Sequence, residues 1–191
     1  MRYPRRVRIE LEPWEPVGTD QLVGVGLFAA LVVALLLGGD PGWTPILDDA
    51  NLAFHEAGHL FYRLFGDTAA LYGGVLGQLT FPVLAAAIFF VKRQPHAVVG
   101  AAIWGFQNLF NIARYMADAR ARELPLVGGT EHDFEHIFGR WHVLHRDVAI
   151  ASVTRTIGWI GLLGAVAWLA WRWHQDRAAA DAGSMGGPPR G

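Results

Sequence analysis

Histidines at 55 and 59, with a glutamate at 56, give this sequence its sharpest chemical signal. Residues four apart on a helix share a face, one turn above the other, so His55 and His59 can bind one Zn²⁺. Glu56 sits beside them, where it can reach a metal-bound water. The metal lowers that water's pKa, and the carboxylate takes its proton and later returns it to a leaving amine. Ala57 and Gly58 are small, leaving room for the ion and for a close helix contact. The same spacing recurs by chance on amphipathic helices of soluble proteins. Here it is flanked by Leu52, Phe54, Leu60 and Phe61 in a chain of membrane character. Two histidines and a glutamate are costly to bury there unless they are used.

A catalytic zinc keeps three protein ligands and one open position. Candidates for the third cluster in Thr130-Glu131-His132-Asp133-Phe134-Glu135-His136. The preceding Gly128-Gly129 lets a helix begin abruptly, with His132 and Asp133 in its first turn. One can bind metal while the other orients a ligand or the water. His132 is the preferred third ligand and Asp133 the alternative. His136 is a weaker candidate and, with His142 and His145, reads as interfacial, while His96 and His174 fall in a loop and a tail. A separate helix carries Gln107, Asn111, Arg114, Tyr115 and Asp118 on one face, with Asn108 alongside. Such a face should look into the bundle or a wet cavity. Asn111 is a candidate catalytic group, donating to substrate backbone or an oxyanion, with Tyr115 as a second electrophile. The competing reading is interhelical hydrogen bonding with an Arg114–Asp118 pair. Gln78 reads as packing glue, and Thr154, Arg155 and Thr156 as interfacial.

The elements that must position these residues are helical and largely apolar. Of 191 residues, 52% are hydrophobic, gathered in long runs rather than dispersed. Those runs point to a bilayer. Several of the 8 Trp lie near run ends, as in an interfacial belt. The formal charge of −1 gives no reason to expect nucleic-acid binding, and the lack of cysteine excludes disulfides, thiolate ligands and a Cys nucleophile. Arg2, Arg5, Arg6 and Arg8 precede the first run, which has no small-residue cleavage site after it and reads as a retained membrane helix. Apolar spans are expected at 21–38, 69–91, 97–118 and 149–171, with two polar helices at 48–65 and 131–147 sheltered among them. Gly73 and Gly77 allow close helix packing. The expected architecture is an all-α polytopic membrane bundle of about six helices. Residues 1–20 form a cytoplasmic lead-in, 21–173 the membrane-embedded catalytic domain, and 174–191 a disordered tail. If both polar helices cross, the termini share one side. The Lys/Arg bias makes that side cytoplasmic, with Lys92 and Arg93 running against it.

The His55-Glu56-Ala57-Gly58-His59 helix and its neighbouring spans, about a third of the chain, resemble the site-2-protease class of intramembrane zinc metalloproteases. More loosely, they are similar to other zinc peptidases with this motif. The resemblance implies that His55 and His59 bind zinc and that Glu56 is the general base. That class takes an Asp from a later membrane helix, in an Asp-Gly context that this sequence lacks. The expectation is a zinc-dependent metallopeptidase of a bacterial inner membrane, hydrolysing a membrane-associated peptide or protein. A di-iron lipid desaturase or hydroxylase is the alternative enzyme, since His55/His59, His132/His136 and His142/His145 look like histidine boxes. That class uses about eight histidine ligands, and two of the 8 here lie in a loop and a tail. The non-enzyme alternative is a metal-binding transporter or inactive adaptor. No repeated halves favour a transporter.

Overall fold

The computed structural model of the chain describes residues 12–39, 42–127 and 132–185, and their regular structure is entirely helical. The six α-helices are α1 (Thr19–Gly38), α2 (Leu47–Tyr62), α3 (Asp67–Val91), α4 (Pro95–Ala117), α5 (Asp133–Arg140) and α6 (Asp147–Met185), with 3₁₀ turns at Arg63–Phe65 and Leu144–Arg146. The expected all-α bundle of six helices is therefore present. The arginines at 2–8 and the Gly128-Gly129 hinge lie outside the described residues.

Three helices are long and apolar enough to cross a membrane: α1, α3 and α6. That is consistent with a membrane protein. Leu27, Leu37, Val83, Ile88, Ile160 and Leu163 are exposed on these helices, as lipid-facing side chains are. The sequence suggested a fourth such span at 97–118. α4 has the length, at 23 residues, but its second half carries Gln107, Asn108, Asn111 and Arg114 and is too polar to count with the others. α4 is instead the central post, with Val99, Ile103 and Phe110 packed in a core with Val32 of α1 and Leu162 and Leu169 of α6.

Contacts at the helix ends fix the topology. Val17 N–H donates to Asp176 Oδ2 (3.0 Å), Trp173 Nε1 to Thr19 Oγ1 (3.2 Å), and Glu15 N–H to the Arg93 carbonyl (2.9 Å). The start of α1, the α3–α4 turn and the later part of α6 thus share one end, the near end. At the far end, Arg120 pairs with Asp147, joining the exit of α4 to the start of α6, and Arg140 donates to Thr68 at the start of α3. α1, α3, α4 and α6 run between the two ends.

The two polar helices do not. Asp48, at the start of α2, accepts from Gln107 Nε2 (2.9 Å) in the middle of α4, and Trp104 Nε1 donates to Asn51 Oδ1 (2.9 Å). At the other end of α2, His59 Nδ1 reaches the carbonyl of Ala70, near the start of α3 (2.7 Å). α2 therefore begins at mid-depth and rises to the far end, after the chain leaving α1 dips back into the bundle. Its 16 residues span only about 24 Å at 1.5 Å per residue. α5 has 8 residues, about 12 Å, and stays at the far end with Phe134, Ile137 and Phe138 inserted between α3 and α4. The condition that both polar segments cross is therefore not met, and the shared side of the two ends of the described chain follows instead from the four helices that run between the ends. A correction concerns the tail: α6 continues to Met185, so residues 174–185 are helix rather than disordered, and 186–191 lie outside the described residues.

Candidate metal centre

α2 and α3 meet backbone to backbone. A Cβ on Gly58 would lie 2.1 Å from the Gly73 carbonyl oxygen, and one on Gly77 would lie 2.4 Å from the Phe54 carbonyl oxygen. No larger residue fits at these crossings. The same closeness seats His55 in a notch at Gly74, where an added Cβ would fall 2.2 Å from His55 Nε2. The first turn of α2 is held by a buried polar cluster. Asp48 accepts from the Thr44 main-chain N–H, Asn51 Nδ2 and Gln107 Nε2. Three donors to one carboxylate offset part of the cost of burying it.

His55 Nε2 lies 2.8 Å and His59 Nε2 3.1 Å from Asp133 Oδ2. The three residues form a group whose ligand atoms could hold one metal ion. The other ring nitrogens are committed elsewhere. His59 Nδ1 faces the Ala70 main-chain carbonyl, which can only accept, so Nδ1 carries the proton. For His55 the same conclusion follows through two amides. Asn108 Nδ2 donates to the main-chain carbonyl of Gln78 (2.7 Å), which orients the Asn108 amide. Asn108 Oδ1 then accepts from Gln78 Nε2 (2.9 Å), which orients the Gln78 amide. Gln78 Oε1 is thereby turned to His55 Nδ1 (2.9 Å) and accepts its proton. Both tautomers are fixed by backbone carbonyls, one directly and one through a relay.

In neutral imidazoles of this tautomer, both Nε2 atoms present bare lone pairs. Burial raises the pKa of Asp133; protons on the two Nε2 atoms would outweigh it and hold the carboxyl down at about 2, but in these tautomers neither Nε2 has a proton to give. Two lone pairs and an anionic oxygen thus converge on one point. That arrangement is repulsive unless a cation or extra protons occupy it. Nitrogen and oxygen donors of this kind suit a zinc-type divalent ion with an open coordination position.

The third member is Asp133, the alternative, rather than the preferred His132. His132 is the residue before α5 and has extended backbone (φ −97°, ψ 112°), so its side chain diverges from that of Asp133, the first helical residue. The His132 ring is fully buried and stacked on Tyr115 (centroids 4.1 Å apart, planes at 27°). Its Nε2 lies 3.5 Å from Asp118 Oδ2, and burial pushes its pKa down.

A cavity of about 980 Å³ opens over the group, and Glu56, Asn111, Tyr115, His136, Arg63 and Arg140 are among its lining residues. Glu56 and Asn111 are therefore brought to the site as expected. Gln107 and Asn108 serve the interhelical hydrogen bonding that was the competing reading of their stripe. Arg114 lies over the Trp43 ring, 5.6 Å from its centroid, and Asp118 accepts from the main-chain N–H groups of Glu123 and Leu124. Gln78, which the sequence offers as packing glue, instead orients the His55 ring. Its signal was a polar amide inside an apolar run, which is rarely idle at membrane depth.

No protein-family model, no curated protein and no solved structure matches this chain.

Proposed function

We propose that this chain is a membrane-embedded, zinc-dependent peptidase. The observation that carries the reading is the convergence of His55 Nε2, His59 Nε2 and Asp133 Oδ2, with both Nδ1 protons committed to carbonyl oxygens. The His-His-Asp donor set is the one the site-2-protease resemblance implies. Here the Asp comes from a short helix at the far end rather than from a spanning helix, and without a following Gly. Among the described residues this is the only group of three or more potential ligands, which favours one ion over a di-iron pair.

A zinc ion bound there supplies a Lewis acid that acidifies water and polarises a carbonyl. The chain's residues do the rest. Glu56 takes a proton from the attacking water and passes it to the leaving nitrogen as the C–N bond breaks. Asn111, one turn below Tyr115 on the cavity face of α4, has an amide able to hydrogen-bond the peptide backbone of a substrate. The far end gives the cavity its water, because α2 and α5 both enter the bundle from that end.

Charge supports cytoplasmic termini in a cytoplasmic membrane. Arg2, Arg5, Arg6 and Arg8 precede α1 in sequence, and the near end adds Lys92, Arg93, Arg172 and Arg177. The far-end segments carry Arg63, Arg120, Arg122, Arg140 and Arg146. With α2 and α5 confined to the far end, Lys92 and Arg93 fall on the side of the termini and no longer oppose the bias.

The deciding experiment uses Glu56→Gln in lipid nanodiscs with quenched fluorescent peptides bearing one hydrophobic helix. The variant should bind about one zinc per chain, as the wild type does, and lose cleavage. Undiminished cleavage by Glu56→Gln refutes the mechanism.

A further inference from the structure

The Tyr115 hydroxyl is the polar group next to the ligand set that the scheme above leaves unused. Its oxygen accepts the main-chain N–H of Asp133 at 3.2 Å, so it lies beside the backbone of the third ligand. No acceptor engages its O–H among the described residues, and Tyr115 lines the cavity. A phenol that accepts one hydrogen bond still has its proton to give, and the accepted bond polarises the O–H. The ring is clamped on three sides: by His132 in a stack at 4.1 Å, and edge-on by Phe134 at 5.6 Å and His55 at 5.9 Å. A donor already held in place loses little entropy when charge develops beside it, which is what oxyanion stabilisation requires. The clamp also gives the buried His132 ring a purpose that metal ligation does not.

We infer that Tyr115 is a catalytic residue that donates a hydrogen bond to the oxyanion formed during peptide hydrolysis; this rests on the peptidase reading above. The water oxygen bonds to the carbonyl carbon as Glu56 takes the proton. The carbonyl π pair moves onto oxygen, and that oxygen accepts from the Tyr115 O–H with no proton transferred. Collapse re-forms the carbonyl, the C–N bond breaks, and Glu56 returns the proton to nitrogen. His132 positions Tyr115 and does not touch the substrate.

The test is Tyr115→Phe on the full chain in nanodiscs, with Glu56→Gln alongside. Three quantities are read: zinc affinity by chelator competition, kcat and KM on the same quenched peptides, and binding of a phosphinic pseudo-dipeptide against its carboxamide counterpart. The phosphinic oxygens mimic the tetrahedral oxyanion. Tyr115→Phe should keep zinc affinity within about twofold, keep KM, and lower kcat about 100-fold, the scale of a lost oxyanion donor. Phosphinate affinity should fall while carboxamide affinity holds. A kcat within about threefold of wild type overturns the assignment, as does zinc affinity falling in step with activity, which would make Tyr115 a support for Asp133 only. An inactive Glu56→Gln beside a fully active Tyr115→Phe sinks this inference and spares the peptidase reading. If the wild type shows neither cleavage nor zinc-dependent phosphinate binding, both fall.

Discussion

Gln78→Leu isolates the relay that orients His55. Leucine fills nearly the same volume within α3 but removes an acceptor and a donor. His55 Nδ1–H loses Gln78 Oε1, and Asn108 Oδ1 loses Gln78 Nε2. Both partners are buried, and each orphaned group costs about 1–3 kcal/mol. The folded state should therefore lose about 2–6 kcal/mol. The metal should suffer separately, because an imidazole without its Nδ1 acceptor is less basic and free to turn. A weakening of about 10- to 100-fold in zinc affinity is the usual scale for losing such a partner. Gln78→Glu supplies the control. It keeps an acceptor for His55 but withdraws the donor to Asn108, so it should lose stability while holding zinc. Chelator competition in nanodiscs measures the affinity and thermal unfolding in detergent measures the fold. Wild-type zinc affinity in a folded Gln78→Leu would refute the relay, and with it the assignment of His55 Nε2 as the metal-facing atom.

Other outcomes follow from the same geometry. Asp133→Ala should abolish tight zinc binding, whereas His132→Ala should keep one zinc per chain while losing about 1–3 kcal/mol of stability from the emptied ring site; metal analysis beside thermal unfolding separates the two. Gly74→Ala places a methyl in the His55 notch and should displace the ring, leaving a helical protein that binds zinc at least about tenfold more weakly. Circular dichroism with chelator competition checks it. Acidification should release zinc progressively below about pH 6, because protons compete for imidazole ligands. Asp133, with its carboxyl held down at about 2 by the protons those imidazoles gain, stays charged across that range, so the Asp133 charge is not what is lost. Zinc retained at pH 4 would argue against histidine ligation.

The parts legible in the sequence were those set by local spacing. His55 and His59 had to share a face once 48–65 was helical, and Gly58, Gly73 and Gly77 announced a close crossing. The remainder depended on contacts between distant residues. Whether His132 or Asp133 faces the metal turns on one residue of extended backbone before α5, and adjacent residues at such a junction point in different directions. The depth of α2 is set by Asp48 against Gln107, 59 positions apart. Helical periodicity carries no trace of that pairing. The polar segment at 131–147 looked long enough to matter as a crossing helix, but the chain turns at Trp141 and His142, where His142 adopts φ 57°, and only 8 residues remain helical. For Tyr115 and Asn111, a shared helical face was visible in advance. Which of them lies beside the Asp133 backbone was not.

The half-depth course of α2 bears on how the molecule is made. α1, α3 and α6 have the length and apolarity to enter the bilayer on their own, and α4 can enter against them. α2 and α5 have too little of either, so their docking must come after the walls they rest on. On this order the last step would bring Asp133 of α5 to His55 and His59 of α2, at the far end of the bundle. If the proposed ion binds there, metallation and final folding would be one event on that face. With cytoplasmic termini, the ion is drawn from the exterior supply, and a chelator that cannot cross the membrane should block maturation of new chains in intact cells.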